Sequence, residues 1–124
     1  MQRLLTFALA ATLLFAMPVG FIDADDKADP QHTVKEVMKI AHKDGLLKSV
    51  AGGKASDEEK KQLLDLYVSL WENEAPAGDA DSWKTKTGNV VAAAAKVVAG
   101  RDGAVDELKK STNCGACHKA HKPK

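Results

Sequence analysis

From residue 29 onward, apolar side chains recur every three or four positions and never alternate in the manner of a strand. A 3.6-residue period places such side chains on one face of a helix, and each stretch here is closed by glycine or proline. This pattern excludes a sheet and predicts an all-α domain of four helices. Asp29-Pro30 reads as a cap and first turn, and Thr33-Val34-Lys35-Glu36 as a capping box just after it. Val34, Val37, Met38 and Ala41 share the inward face of that first helix, which Gly45 ends. Leu46 to Ala55 contains Gly52-Gly53 and reads as a loop. Ser56-Asp57-Glu58-Glu59 is a second capping box, with acidic residues suited to the positive end of the helix dipole. Leu63, Leu66, Tyr67, Leu70 and Trp71 then form the buried face expected of the second helix.

Glu74 to Asp81 is a turn-rich connector. Asp81 or Ser82 is expected to cap a third helix to about Ala99, with Trp83, Val90, Val91, Ala94, Val97 and Val98 inward. Gly88 weakens that helix by ~1 kcal/mol relative to alanine, so a bend or a late start is expected there. Ala92 to Ala95 is either simple helix propensity or a place for close approach by a neighbouring helix or a flat cofactor. Gly100 ends the helix. Asp102 caps a fourth, which Val105 and Leu108 carry into the C-terminal segment as one continuous helix. Short connections between four helices favour an antiparallel four-helix bundle.

The first 24 residues have a different character. Arg3 precedes an apolar run from Leu4 to Met17, and Pro18 and Gly20 break it before small residues follow. This is the layout of a cleaved secretory signal peptide, with cleavage after Gly20 or Ala24. An uncleaved anchor is the rival reading, but the run is shorter than the ~20 residues that a span requires. The folded domain is therefore expected over 25–124, exported and soluble. Removing the leader takes away Arg3 and Asp23 and leaves the net charge at the +1 of the whole chain. So small a surplus argues against nucleic acid as a partner. Charged residues at 28% and hydrophobic residues at 44% also exclude a disordered chain. Aromatics amount to only 5%, thin for a small core, so something else is expected to fill the middle.

Both cysteines lie in Cys114-Gly115-Ala116-Cys117-His118. A disulfide across so short a loop constrains little chain, so a purely structural bridge is a poor explanation. Cys-x-x-Cys-His is the attachment signature of c-type haem. On a helix, three residues bring both thiols to nearly one face, where each can add to a haem vinyl group. His118 follows one turn after Cys114, placed to reach the iron, and Gly115 and Ala116 let a porphyrin approach the backbone. Two rivals fit less well. A thioredoxin-type redox motif accompanies a strand–helix unit. A zinc site built from Cys114, Cys117, His118 and His121 lacks the usual ligand spacing. A covalent haem also answers the thin core.

With its C-terminal Cys-Gly-Ala-Cys-His, the Lys119-Ala120-His121-Lys122 tail and Val37-Met38-Lys39-Ile40 in the first helix, the chain resembles the class II c-type cytochromes of the cytochrome c-prime superfamily. The resemblance spans the mature chain in helix order. It implies one covalent haem c on the C-terminal helix of an antiparallel four-helix bundle, with His118 as proximal iron ligand. It implies one-electron transport in the bacterial periplasm, with no enzymatic activity, among partners that are redox proteins. Family members are often homodimers through helix faces. Here His121 and Lys122 stand where members often carry an aromatic and an arginine.

The family divides over the second face of the iron. Some members use a first-helix methionine and carry electrons; others leave the iron five-coordinate and bind NO or CO. Met38 matches the methionine position and is the only methionine outside the leader. A thioether suits a buried site and, with histidine, raises the potential. Met38 as core filler is the plainer reading of the residue alone. His42, one turn on, is a second candidate. His32, His42 and His121 are otherwise expected at the surface. Lys109, Lys110, Lys119, Lys122 and Lys124 surround the motif, where they can steer an acidic partner in a salt-dependent way.

Overall fold

The computed structural model describes residues 29–124, and the leader read over 1–24 lies outside them. Among the described residues every regular element is helical. None of these helices is long and apolar enough to cross a membrane. Thr33, rather than Asp29-Pro30, starts the first of them. Its hydroxyl accepts from the Glu36 N–H at 3.2 Å, and the Glu36 carboxylate accepts from the Thr33 N–H at 2.7 Å. Those bonds favour the ionised form and hold the exposed Glu36 carboxyl below its ordinary pKa. Helix α1, Val34–Val37, continues directly into a π-helical segment, Met38–Lys43. The wider winding closes with the Asp44 N–H on the Lys39 carbonyl, an i to i+5 bond of 2.8 Å.

Gly45, at φ 89°, turns the chain into α2, Leu46–Ala51. The loop expected over 46–55 is thus a short helix for its first half. The glycine pair is its stop, with Gly53 at φ 72°, and Val50 is buried beneath it. Ser56 caps α3, Asp57–Glu72, accepting from the Glu59 N–H at 3.2 Å. The Glu59 carboxylate accepts instead from the Ser49 hydroxyl at 3.4 Å, tying α3 to α2. Helix α3 buries Leu63, Leu66, Tyr67, Ser69 and Leu70.

Trp71 departs from expectation, being 43% exposed. It follows Leu70 by one residue, about 100° round the helix, and so leaves the inward stripe. The Lys84 ammonium stands 4.6 Å from its ring centroid and also donates to its backbone carbonyl. Gly88 faces the same indole, where an added Cβ would sit 3.7 Å from Nε1, an ordinary contact. Helix α4, Ala80–Val98, runs through Gly88 without interruption. Gly88→Ala is therefore expected to stabilise the domain by ~0.5–1 kcal/mol, since propensity improves and nothing must move. A raised urea midpoint at unchanged slope would establish this.

Asp79 caps α4, its carboxylate accepting from the Ser82 N–H at 2.8 Å, two residues before the expected start. The helix buries Trp83, Thr87, Val90, Ala93, Ala94 and Val97, and packs against α3 on one side and α5, Ala104–Ser111, on the other. Leu108 anchors α5 and is fully buried. The expected continuous fourth helix is broken. At Thr112 both the backbone N–H and the hydroxyl bond the Leu108 carbonyl, at 3.0 and 2.7 Å, which closes α5. Asn113 then accepts from the Ala116 N–H at 3.1 Å and starts a separate helix, α6, Cys114–His121.

Candidate functional site

The sequence-predicted residues from the two ends of the chain meet at one cavity of about 730 Å³. Met38 and His42 reach it from the π-helical segment, and Tyr67 and Leu70 from α3. Helix α4 supplies Val90, Ala92 and Ala93, the last two being the first half of the alanine run. Cys114, Cys117 and His118 line it from α6. The volume lies within the ~300–1,000 Å³ typical of cofactor sites, and an apolar body with few polar groups is their usual character.

Both cysteines are free thiols, Cys114 exposed and Cys117 half-buried. Burial raises the Cys117 pKa; Lys86, also on the cavity wall, pulls the other way, and Cys114 adds to the rise. His118 is exposed at the cavity's edge. Met38 is partly buried against the hydrophobic core. His42 is half-buried rather than at the surface, and burial first, then the charge of His118, lowers its pKa. Its neutral form is thereby favoured. The Tyr67 pKa is raised by burial and by Cys114, so its phenol stays protonated. Helical spacing marked Tyr67 as core but held no signal for the cavity. Lys96 also lines the cavity and pairs with Glu107 of α5 at 2.7 Å across its rim.

His121 was expected at the surface and is 3% exposed. Its Nδ1 lies 2.8 Å from the Ala77 carbonyl, which accepts only, so Nδ1 carries the proton. Nε2 then accepts from the Ser82 hydroxyl at 3.1 Å, and Lys86 donates to that same hydroxyl at 3.0 Å. Trp83 meets the ring edge-on, with centroids 5.4 Å apart. The connector can come this close because residue 78 has no side chain. Gly78 stands at φ 79°, and a Cβ there would collide with the Ala120 carbonyl. His121 therefore fastens the end of α6 to the connector before α4. His32, by contrast, sits away from the cavity with Nε2 3.6 Å from the Asp65 carboxylate.

His121→Ala leaves the Ala77 carbonyl and Ser82 without their partner, and is expected to cost ~1–3 kcal/mol in urea unfolding. Of the cavity-lining residues, Lys86 joins this network through the Ser82 hydroxyl.

Among the described residues no three His, Cys, Asp or Glu side chains stand close enough to hold a metal ion on their own. With His121 turned to Ala77 and Ser82, the imagined zinc tetrad lacks a ligand. The donor set that does share the cavity is two thiols, two imidazoles (His42 and His118) and a thioether, groups of the kind that tether a haem and ligate its iron. Such a haem needs protein donors only along one axis of the iron. No family model, curated protein or solved structure matches the chain.

Proposed function

We propose that this chain is an exported c-type cytochrome that carries single electrons in the periplasm. The observation that carries this reading is the meeting of Met38 with Cys114, Cys117 and His118 around one apolar cavity of cofactor size. In this reading Cys114 and Cys117 would hold one haem c through thioethers, and His118 and Met38 would be the protein donors to its iron. The first helix, α3, α4 and the α5–α6 pair act as the four members of an antiparallel bundle. A haem bound there supplies one-electron chemistry at its iron. The protein's part is to fix the ligands and keep water away, which together set the potential. Leu70, Val90 and Ala93 provide the dry wall, and His121 holds the end of the helix that bears the motif. The reading gives the protein no substrate chemistry of its own. The lysines near the cavity and along the tail guide acidic redox proteins, with rates that fall as salt rises.

The absorption spectrum of protein made with a haem-maturation system tests this. A low-spin spectrum with a weak thioether-to-iron band is expected. His118→Ala should lose it, whereas His121→Ala should keep it despite the stability cost. A high-spin spectrum that responds to CO or NO would replace electron transport with gas binding at a five-coordinate iron. The absence of a Soret band would remove haem altogether.

A further inference from the structure

Helix α6 carries the whole Cys-x-x-Cys-His motif, yet little holds it to the bundle. His121 is its one buried residue, and no other helix packs along it among the described residues. Its two ends differ. At the first, the α5 ladder stops with the Thr112 N–H on the Leu108 carbonyl, and the α6 ladder starts afresh with the Cys117 N–H on the Asn113 carbonyl at 3.2 Å. No backbone hydrogen bond crosses Thr112-Asn113, where ψ leaves the helical range at 41° and 96°. Only the Cys114 thiol reaches back, to the Thr112 carbonyl at 3.6 Å. At the other end His121 bonds the Ala77 carbonyl and the Ser82 hydroxyl and stands edge-on to Trp83. Between joint and clasp lie Cys114, Cys117 and His118, on the wall of the cavity.

We propose that α6 is a hinged strap, turning about Thr112-Asn113 and latched by His121, whose opening clears the cavity for a flat apolar occupant and whose closing seats the motif against it. The strap stands on the geometry alone; that the occupant is haem rests on the reading above. Opening gives up the bonds to Ala77 and Ser82, the contact with Trp83 and the packing of Cys117 against the core. Undocking α3 or α4 would instead expose Leu66, Tyr67 and Val90. Segments with few buried contacts open at lower free energy than the core. Eight residues make no stable helix alone in water, so α6 melts once the latch lets go. The joint leaves α5 in place, because Leu108 stays anchored. Thioethers from Cys114 and Cys117 add two attachments between joint and latch, so a tethered haem locks the strap shut.

Native-state hydrogen exchange on the full chain, with and without haem, tests this. In the haem-free chain with reduced thiols, the amides of 117–122 should exchange faster than those of α3 and α4. Their rate should hardly respond to low urea, the mark of local opening. His121→Ala should speed them roughly five- to a hundredfold, the range for losing a buried hydrogen-bond partner. Val97→Ala, in the core at the far end of α4, should speed α3 and α4 and leave 117–122 unchanged. In the haem-loaded chain the same amides should slow to the rate of the core. The strap is overturned if 117–122 exchange only with the core in wild type, follow it in Val97→Ala, or ignore His121→Ala. A haem-free chain without protected amides in α3 and α4 would overturn it too, because no formed cavity would await closure. A chain that takes up no haem overturns the cofactor reading and leaves the strap standing. Loaded haem with 117–122 exchanging as before overturns the locking alone.

Discussion

Replacing both Cys114 and Cys117 with serine is expected to abolish covalent haem and leave an unstable apoprotein. The cavity that these thiols edge measures about 730 Å³, large beside the 96-residue described chain that encloses it. Leu70, Val90 and Ala93 reach that cavity from the buried core, so an occupant tethered there would add packing to the core itself. A domain of this size has a net stability of ~5–15 kcal/mol, so loss of that much packing is a large fraction of the whole. Each single replacement should reduce the haem that survives denaturation. Peroxidase staining of a denaturing gel measures attachment, and circular dichroism on heating measures the fold. Full haem retention in the double variant would refute attachment through this motif.

Met38→Ala is expected to open the distal side of the iron. The variant should become high-spin, bind carbon monoxide readily and fall in potential, because a soft thioether favours ferrous iron. A methionine that merely filled space would behave differently. Its loss would cost ~2–5 kcal/mol as a large-to-small change, toward the lower end here because Met38 is only partly buried. The spin state would then stay as it was in wild type. That result would move the assignment to gas binding if the iron were high-spin in both proteins. It would move it to His42 if both were low-spin.

The helical character of the domain was legible because local chemistry and burial agree. Thr33 and Ser56 cap where their hydroxyls precede a glutamate by three residues, and Leu63, Leu66 and Leu70 lie on the stripe their spacing draws. That Met38 and the Cys114–His118 motif line one cavity accords with the chemistry that singled them out, since few side chains other than sulfur and imidazole can ligate iron. What escaped was decided partly by neighbours distant in sequence and partly by local signals that can be read two ways. Leu46–Ala51 looked like a loop because a glycine pair weighs the same whether it interrupts a helix or ends one. Trp71 looked buried because an aromatic beside a leucine stripe usually is, and only the facing Lys84 and Gly88 show why it can lie outside. The break at Thr112-Asn113 was hidden by the attraction of a continuous apolar face. Both residues are nonetheless good terminators, and Asn113 is a strong cap. His121 was expected at the surface because its partners Ala77 and Ser82 lie some forty residues earlier.

Gly78 belongs to no motif, bears no charge and offers no ligand, and along the chain it is far from Cys114. Yet it is the seat on which the end of α6 rests, at a backbone angle that other residues resist. Variation at this position is therefore governed by a helix that has not yet been synthesised when residue 78 leaves the ribosome. The reason this glycine cannot be spared would appear in no comparison of connectors alone.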